Sequence, residues 1–126
     1  MIINDLQTVV AVRAAFDRYE AALLANDVPA LDAFFLHRGD TVRFGVSEVQ
    51  YGIDEIRAFR ATQLPFTREL ERVSIVTYGK EVATASTLFY RPDIPGQVGR
   101  QQQTWVLTEG GWKVAAAHVS MMPTTL

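Results

Sequence analysis

The chain opens with apolar residues spaced by three and four. Val9, Val12, Phe16, Tyr19 and Leu23 fall on one face of a helix capped by Asn4 or Asp5. Arg13, Asp17, Arg18 and Glu20 lie beside or opposite that stripe, as on a helix laid against a core. Asn26-Asp27 interrupts the pattern, and Asp27 caps a second predicted helix with Pro29 in its first turn and Leu31, Phe34 and Phe35 on its buried side. After a turn at Arg38-Gly39-Asp40, the strand Thr41-Val42-Arg43-Phe44-Gly45 puts Val42 and Phe44 on one face and Arg43 on the other. Tyr51-Gly52 leads into a third helix from Ile53 to the neighbourhood of Gln63. Its apolar side is Ile53, Ile56 and Phe59, and Leu64-Pro65 ends it.

From Phe66 to Met121 the period changes to two and β-branched and aromatic residues dominate. The predicted strands are Arg68–Tyr78, Val82–Arg91, Arg100–Thr108 and Trp112–Met121, with turns at Gly79-Lys80 and Gly110-Gly111 and a loop over Pro92–Gly99. Helices followed by an antiparallel meander predict an α+β, cone-shaped fold, with three N-terminal helices packed against a strongly curved mixed or antiparallel sheet. Such a sheet wrapped round its helices leaves a blind pocket between them, the natural place for chemistry. Residues 1–126 read as a single domain, without internal repeat, low-complexity tract or linker.

Composition narrows the function classes. The 126 residues carry 12 Lys+Arg against 14 Asp+Glu, a net charge of −2 without a basic cluster, which excludes nucleic acid and anionic membranes as expected partners. Absence of cysteine excludes a disulfide scaffold. The N-terminus has no basic region followed by an apolar stretch, and no window approaches a membrane span, so the cytoplasm is the expected location. The sequence has no GxSxG, HExxH, GxxxxGK[ST] or GxGxxG motif, and His37 and His118 lie far apart, so neither a metal nor a cofactor is expected.

Each polar residue at a buried or half-buried position has two readings. Tyr19 is either a packing aromatic or a phenol held by a rigid helix in a dry pocket, able to donate a proton. Arg43 either faces solvent or points inward as a fork for a planar anion. Its own strand offers no carboxylate to balance it, a role open to a substrate. Arg57 and Arg60 are solvated helix charges, or they raise the potential at the pocket mouth. Gln101, Gln103 and Trp105 share one face of their strand, opposite Gln102, Thr104 and Val106. Straight alternation puts Val114, Ala116, His118 and Ser120 together, opposite Ala115, Ala117 and Val119, and makes His118-Ser120 either a hydrogen-bonded core pair or part of a site.

The order of elements, with Tyr51-Gly52-Ile53-Asp54-Glu55-Ile56, Gly110-Gly111-Trp112 and Ala116-Ala117-His118-Val119-Ser120, resembles the nuclear transport factor 2-like (SnoaL-like, cystatin-like) superfamily. More narrowly, Phe16-Asp17-Arg18-Tyr19-Glu20, Thr41-Val42-Arg43-Phe44-Gly45, Tyr51 through Arg60, and Gly99-Arg100-Gln101-Gln102-Gln103-Thr104-Trp105 resemble the AtzH-like family across nearly the full chain. Its proteins are associated with an amidase and its small partner subunit in bacterial nitrogen catabolism. The resemblance implies conversion of 1,3-dicarboxyurea to allophanate with loss of one N-carboxylate. The implied catalytic pair is a tyrosine on the first helix and an arginine on the first strand, matching Tyr19 and Arg43.

On that reading the substrate is a small anion. Arg43 binds one carboxylate and Tyr19 is the general acid, while Arg57, Arg60, Gln103, Trp105, His118 and Ser120 are candidates for contacting or orienting the substrate. Hydrolysis and direct loss of carbon dioxide both stay open. One alternative is an isomerase or dehydratase of the same architecture, which needs an internal carboxylate or histidine base. Another is a non-catalytic ligand-binding or accessory subunit partnering an amidase. Val82, Leu88, Val106 and Val119 on the open sheet face want cover, which a homodimer supplies under either function.

Overall fold

Local chemistry sets the ends of the helices. In the computed structural model, which describes residues 1–124, the Asp5 carboxylate accepts from Thr8 N and Oγ1 and starts α1, Leu6–Leu24. Asp27 accepts from Ala30 N and starts α2, Val28–Phe34, with Pro29 in the first turn. Phe35 is already extended. The third helix, α3, spans Ile53–Ala61 and begins at Gly52, whose φ of 90° few other residues tolerate.

The strands are β1 Val42–Phe44, β2 Val49–Tyr51, β3 Glu69–Tyr78, β4 Val82–Tyr90, β5 Gln97–Thr108 and β6 Gly111–Pro123. They form one sheet in the order β2-β1-β6-β5-β4-β3, antiparallel throughout except that β1 runs parallel to β6. The α+β reading therefore holds, and the sheet is mixed. Strand β2 was not anticipated from the sequence: its three residues run straight into the segment read as the start of the third helix.

Two bulges bend the long strands. In β3, Glu71 pairs with Leu88 and Ser74 with Ser86, leaving an extra residue beside Arg72, whose φ is 54°. In β6, Trp105 pairs with Val114 but Thr104 with Ala116, so Ala115 is the extra residue. Val12, Phe16, Tyr19 and Leu23 of α1 and Leu31 of α2 bury against Ala83, Ala85, Trp105, Val114 and Ala117 of the sheet. Among the described residues no helix is long and apolar enough to cross a membrane.

Candidate functional site

The helices cover the inner face of the sheet over Trp105 and Val114, and beyond them a cavity of about 430 Å³ opens between α1, α3, the β1–β2 hairpin and the far ends of β3 to β6. Its lining includes Tyr19, four arginines (Arg43, Arg60, Arg68 and Arg91), Gln101, Gln103 and a single carboxylate, Glu48. The net charge of −2 gives no hint of this concentration of guanidinium groups.

The four arginines differ in what holds them. Arg68 donates from Nε and Nη2 to the two oxygens of Glu20 at 2.9 and 2.6 Å, and again from Nη2 to Gln101 Oε1 at 3.0 Å. Its guanidinium lies 4.7 Å from the Phe89 ring centroid. Arg91 gives the same Nε and Nη2 pair to Asp93. In both, the side edge that takes a carboxylate through two parallel hydrogen bonds is already filled by protein.

Arg43 is held from the opposite end. Its Nη1 donates to Glu48 Oε1 and to Gln50 Oε1, both at 2.9 Å, and Phe59 lies 4.6 Å below the guanidinium. Nε and Nη2 make no hydrogen bond to a described residue, and neither is sealed from solvent. A complete carboxylate-binding edge is thus left open on a residue that lines the cavity. Arg43 faces inward, as alternation with Val42 and Phe44 allows, and the balancing carboxylate that its own strand lacks comes from Glu48 across the hairpin turn.

Arg60 has neither hydrogen bond nor ion pair with a described residue, although the residue is only 5% exposed. Burial lowers its pKa below the usual value. Tyr19 and Asp32 act to raise it, Arg43 and Arg68 to lower it, so all four lie within electrostatic reach. A guanidinium stays charged under such conditions, which makes Arg60 a buried cation with unfilled demand for an anion. Glu48 is the converse case: burial raises its pKa, but hydrogen bonds from Arg43 and Ser47 outweigh this and hold it below the usual carboxylate value.

Tyr19 is 4% exposed and packs edge-on against Phe34, Phe35 and Trp105 while lining the cavity. Its hydroxyl makes no hydrogen bond to a described residue and is not sealed from solvent, so it is free to meet a ligand. Gln103 accepts from Trp105 Nε1 at 3.0 Å. Because indole only donates, this hydrogen bond turns the Gln103 carbonyl toward Trp105 and leaves its amide N–H groups for the cavity. Trp105 itself is fully buried and orients Gln103 from behind.

The remaining candidates lie elsewhere. The bulge at Ala115 reverses the alternation of β6, so Val114 faces the core, Ala117, Val119 and Met121 line the cavity, and His118 and Ser120 point through the opposite face of the sheet. There His118 stacks edge-on with Phe44, and Ser120 accepts from Arg100 Nε. Val119, expected on the open face, is inside for the same reason. Arg57 sits on the outer side of α3, over half exposed and 3.8 Å from Asp32.

Glu48, Gln50, Glu20, Arg68 and Gln101 complete the site and lay outside the candidate set. Gln101 alone carried a signal, since it shares the strand face of Gln103. Among the described residues no three His, Cys, Asp or Glu converge to hold a metal ion.

Comparison with known proteins bears on the chain as a whole. A family model described as AtzH-like matches residues 1–125. A protein of unknown function from Pectobacterium atrosepticum is 48% identical, with 95% of this chain and 94% of that one covered and a TM-score of 0.92. A cystatin-like fold protein from Burkholderia xenovorans is 43% identical over 99% of both chains, with a TM-score of 0.95. An NTF2-like protein from Pseudomonas putida shares the fold at 19% identity, covering 90% of this chain and 86% of that one with a TM-score of 0.74. No curated protein matches. The family match takes in the helix bearing Tyr19, the strand bearing Arg43 and the whole sheet between them, so this chain, with its NTF2-like, cystatin-like fold, belongs to the AtzH-like family.

Proposed function

We propose that the protein is an enzyme acting on a small carboxylated urea, 1,3-dicarboxyurea or a close relative, and releasing one N-carboxylate as carbon dioxide. The observation that carries this reading is the open Nε/Nη2 edge of Arg43 in one cavity with the unpaired Arg60 and the free hydroxyl of Tyr19. The paired donors of Arg43 suit a carboxylate, the unbalanced charge of Arg60 suits an anionic substrate and a transient phenolate, and the phenol suits delivery of one proton.

The carboxylate that remains in the product keeps its charge throughout, so binding it to Arg43 holds the substrate without opposing the reaction. The departing carboxylate loses its charge as carbon dioxide forms. Its C–N bond breaks with the electron pair left on nitrogen, and the Tyr19 hydroxyl supplies the proton that completes the new N–H. The phenolate is reprotonated from water, so one proton is consumed per turnover. Arg60 lies within electrostatic reach of Tyr19 and stabilises the phenolate while it lasts. Gln103 offers its amide N–H groups to the urea carbonyl.

An isomerase or dehydratase would need an unengaged internal base. The carboxylate that lines the cavity, Glu48, is tied to Arg43, and His118 is on the far side of the sheet. The deciding assay supplies freshly prepared 1,3-dicarboxyurea to the purified protein and follows carbon dioxide and allophanate. Stoichiometric release that is lost in Tyr19→Phe and in Arg43→Gln supports the reading. Release no faster than in buffer, with folded protein present, overturns it.

A further inference from the structure

We infer that Glu48 and Gly45 are positioning residues whose joint task is to present the Nε/Nη2 edge of Arg43, and no other, to the substrate. The inference rests on the reading of Arg43 as a carboxylate-binding group.

The guanidinium of an arginine has two edges able to donate in pairs, Nε with Nη2 and Nη1 with Nη2, and rotation about its side-chain bonds exchanges which of them faces a ligand. In Arg43 this freedom is removed at one nitrogen. Nη1 carries two hydrogens and meets two acceptors, Glu48 Oε1 and Gln50 Oε1, so every pair of donors that includes Nη1 is already spent. Phe59 covers one face of the plane. Only the side edge is left.

Gln50 comes from the paired strand β2 and lies directly opposite Arg43 in register, so the sheet itself places it. The Glu48 backbone is placed by the turn, its carbonyl accepting from Gly45 N–H at 2.9 Å, but its side chain has no partner in register. Glu48 precedes β2 at the end of the turn and reaches Arg43 by folding back across Gly45, with its other oxygen held by the Ser47 backbone N–H at 3.1 Å. A β-carbon at position 45 would occupy the space of the Glu48 carboxylate and press on Arg43 Nη1. Gly45 lacks the left-handed backbone that otherwise favours glycine, so the space and not the conformation accounts for it. Arg68 provides the contrast: its carboxylate, Glu20, takes the side edge and Gln101 takes the second hydrogen of Nη2, so that neither paired edge is open.

The test compares wild type with Glu48→Ala, Glu48→Gln and Gly45→Ala, all in the full chain. Steady-state KM and kcat are read for 1,3-dicarboxyurea, Kd is read for malonate by calorimetry, and the Arg43 Nη signals are read by nitrogen-15 NMR. Glu48→Ala and Gly45→Ala should raise KM and the malonate Kd about tenfold while kcat falls less than about threefold, the effect expected when a single charge-assisted hydrogen bond is removed. Glu48→Gln keeps an acceptor oxygen and should rescue both constants. Nη1 and Nη2 should give separate signals in wild type and merge in Glu48→Ala and Gly45→Ala, with or without ligand.

Tighter malonate binding by Glu48→Ala would make Glu48 a competitor of the substrate and overturn the inference, as would unchanged KM in both alanine variants. Failure of wild type to turn over dicarboxyurea or bind malonate, with the NMR pattern as expected, would remove the proposed substrate and leave the positioning of Arg43 standing. Merged Nη signals in wild type would overturn the positioning whatever the substrate.

Discussion

The ring of Tyr19 meets Trp105 edge-on, with centroids 6.1 Å apart and planes at 88°. Phe34 touches both, at 5.7 Å from Tyr19 and 6.1 Å from Trp105, so the phenol ring is one member of an aromatic cluster while its oxygen lines the cavity. Packing and chemistry are therefore separable within one side chain. Tyr19→Phe should leave stability within about 1 kcal/mol of wild type, since the ring carries the packing and the hydroxyl bonds no described residue. Turnover should fall by about 10²- to 10⁴-fold, the range for loss of a positioned proton donor. Thermal melts and kinetics on the same preparation check both halves, and retained turnover in the folded variant would remove Tyr19 from the mechanism.

Arg60 offers the opposite trade. A buried cation without a carboxylate costs the fold solvation energy that an apolar chain of similar length would not. Arg60→Met should therefore stabilise the protein by about 1 kcal/mol or more in denaturant titrations. The same variant should lose at least about tenfold in affinity for malonate. A destabilised variant with undiminished affinity would show that Arg60 serves the scaffold.

Arg68 belongs to the scaffold despite lining the cavity. Its side chain is 3% exposed, that of Glu20 is 14% exposed, and the two are joined by paired bonds across 48 residues of sequence. Arg68→Met or Glu20→Leu alone leaves one buried charge uncompensated and should cost about 3–5 kcal/mol. The double replacement removes both charges and should recover most of that loss. A double-mutant cycle by chemical denaturation measures the coupling, and additive single effects would show that the pair acts as two independent solvated charges.

How much of this could be seen in the sequence follows from which signals are periodic. The α1 stripe put Tyr19 on the buried face, and three residues of alternation in β1 put Arg43 opposite Val42 and Phe44. That both line one cavity was invisible to local pattern; the family resemblance implied that they act together. Gln103 and Trp105 were read on one face, and they share a hydrogen bond. The errors come from aperiodic features. One inserted residue at Ala115 moved His118, Ser120 and Val119 across the sheet, because alternation carries no record of a bulge. Glu48 sits in a turn beside a three-residue strand, where no pattern identifies an inward side chain, and Gly45 reads only as the end of the first strand until the carboxylate folded over it is seen.

The bulge itself makes a prediction. His118 packs on Phe44 and Ser120 on Arg100, away from Tyr19 and Arg43. His118→Ala and Ser120→Ala should keep kcat/KM within about twofold of wild type, since neither group reaches the cavity. Ala117→Phe, one residue from His118 but lining the cavity, should fill part of it and abolish malonate binding. Loss of activity in His118→Ala with normal melting behaviour would place the chemistry on the outer face instead.

The Arg43–Glu48 pair also sets a pH dependence whose sign is fixed by the direction of the Glu48 shift. Burial alone would raise its pKa, but bonds from Arg43 and Ser47 bring it below the ordinary value of 4.5. Between the folded and unfolded values the unfolded chain binds more protons, so stability rises with pH in that window. The contribution of Glu48 is therefore complete above the unfolded value and is lost as pH falls through the lower, folded one. Asp5, Asp40 and Asp93 shift in the same direction, each through a hydrogen bond from a neighbouring residue. Subtracting the melting curve of Glu48→Gln from that of wild type cancels those three and isolates Glu48. The difference in Tm should be constant near neutrality and shrink as the buffer is taken from about pH 5 to about pH 3. A difference that stays flat through that range would mean that Glu48 keeps its ordinary affinity for protons, and that its carboxylate is not bound to Arg43 in solution.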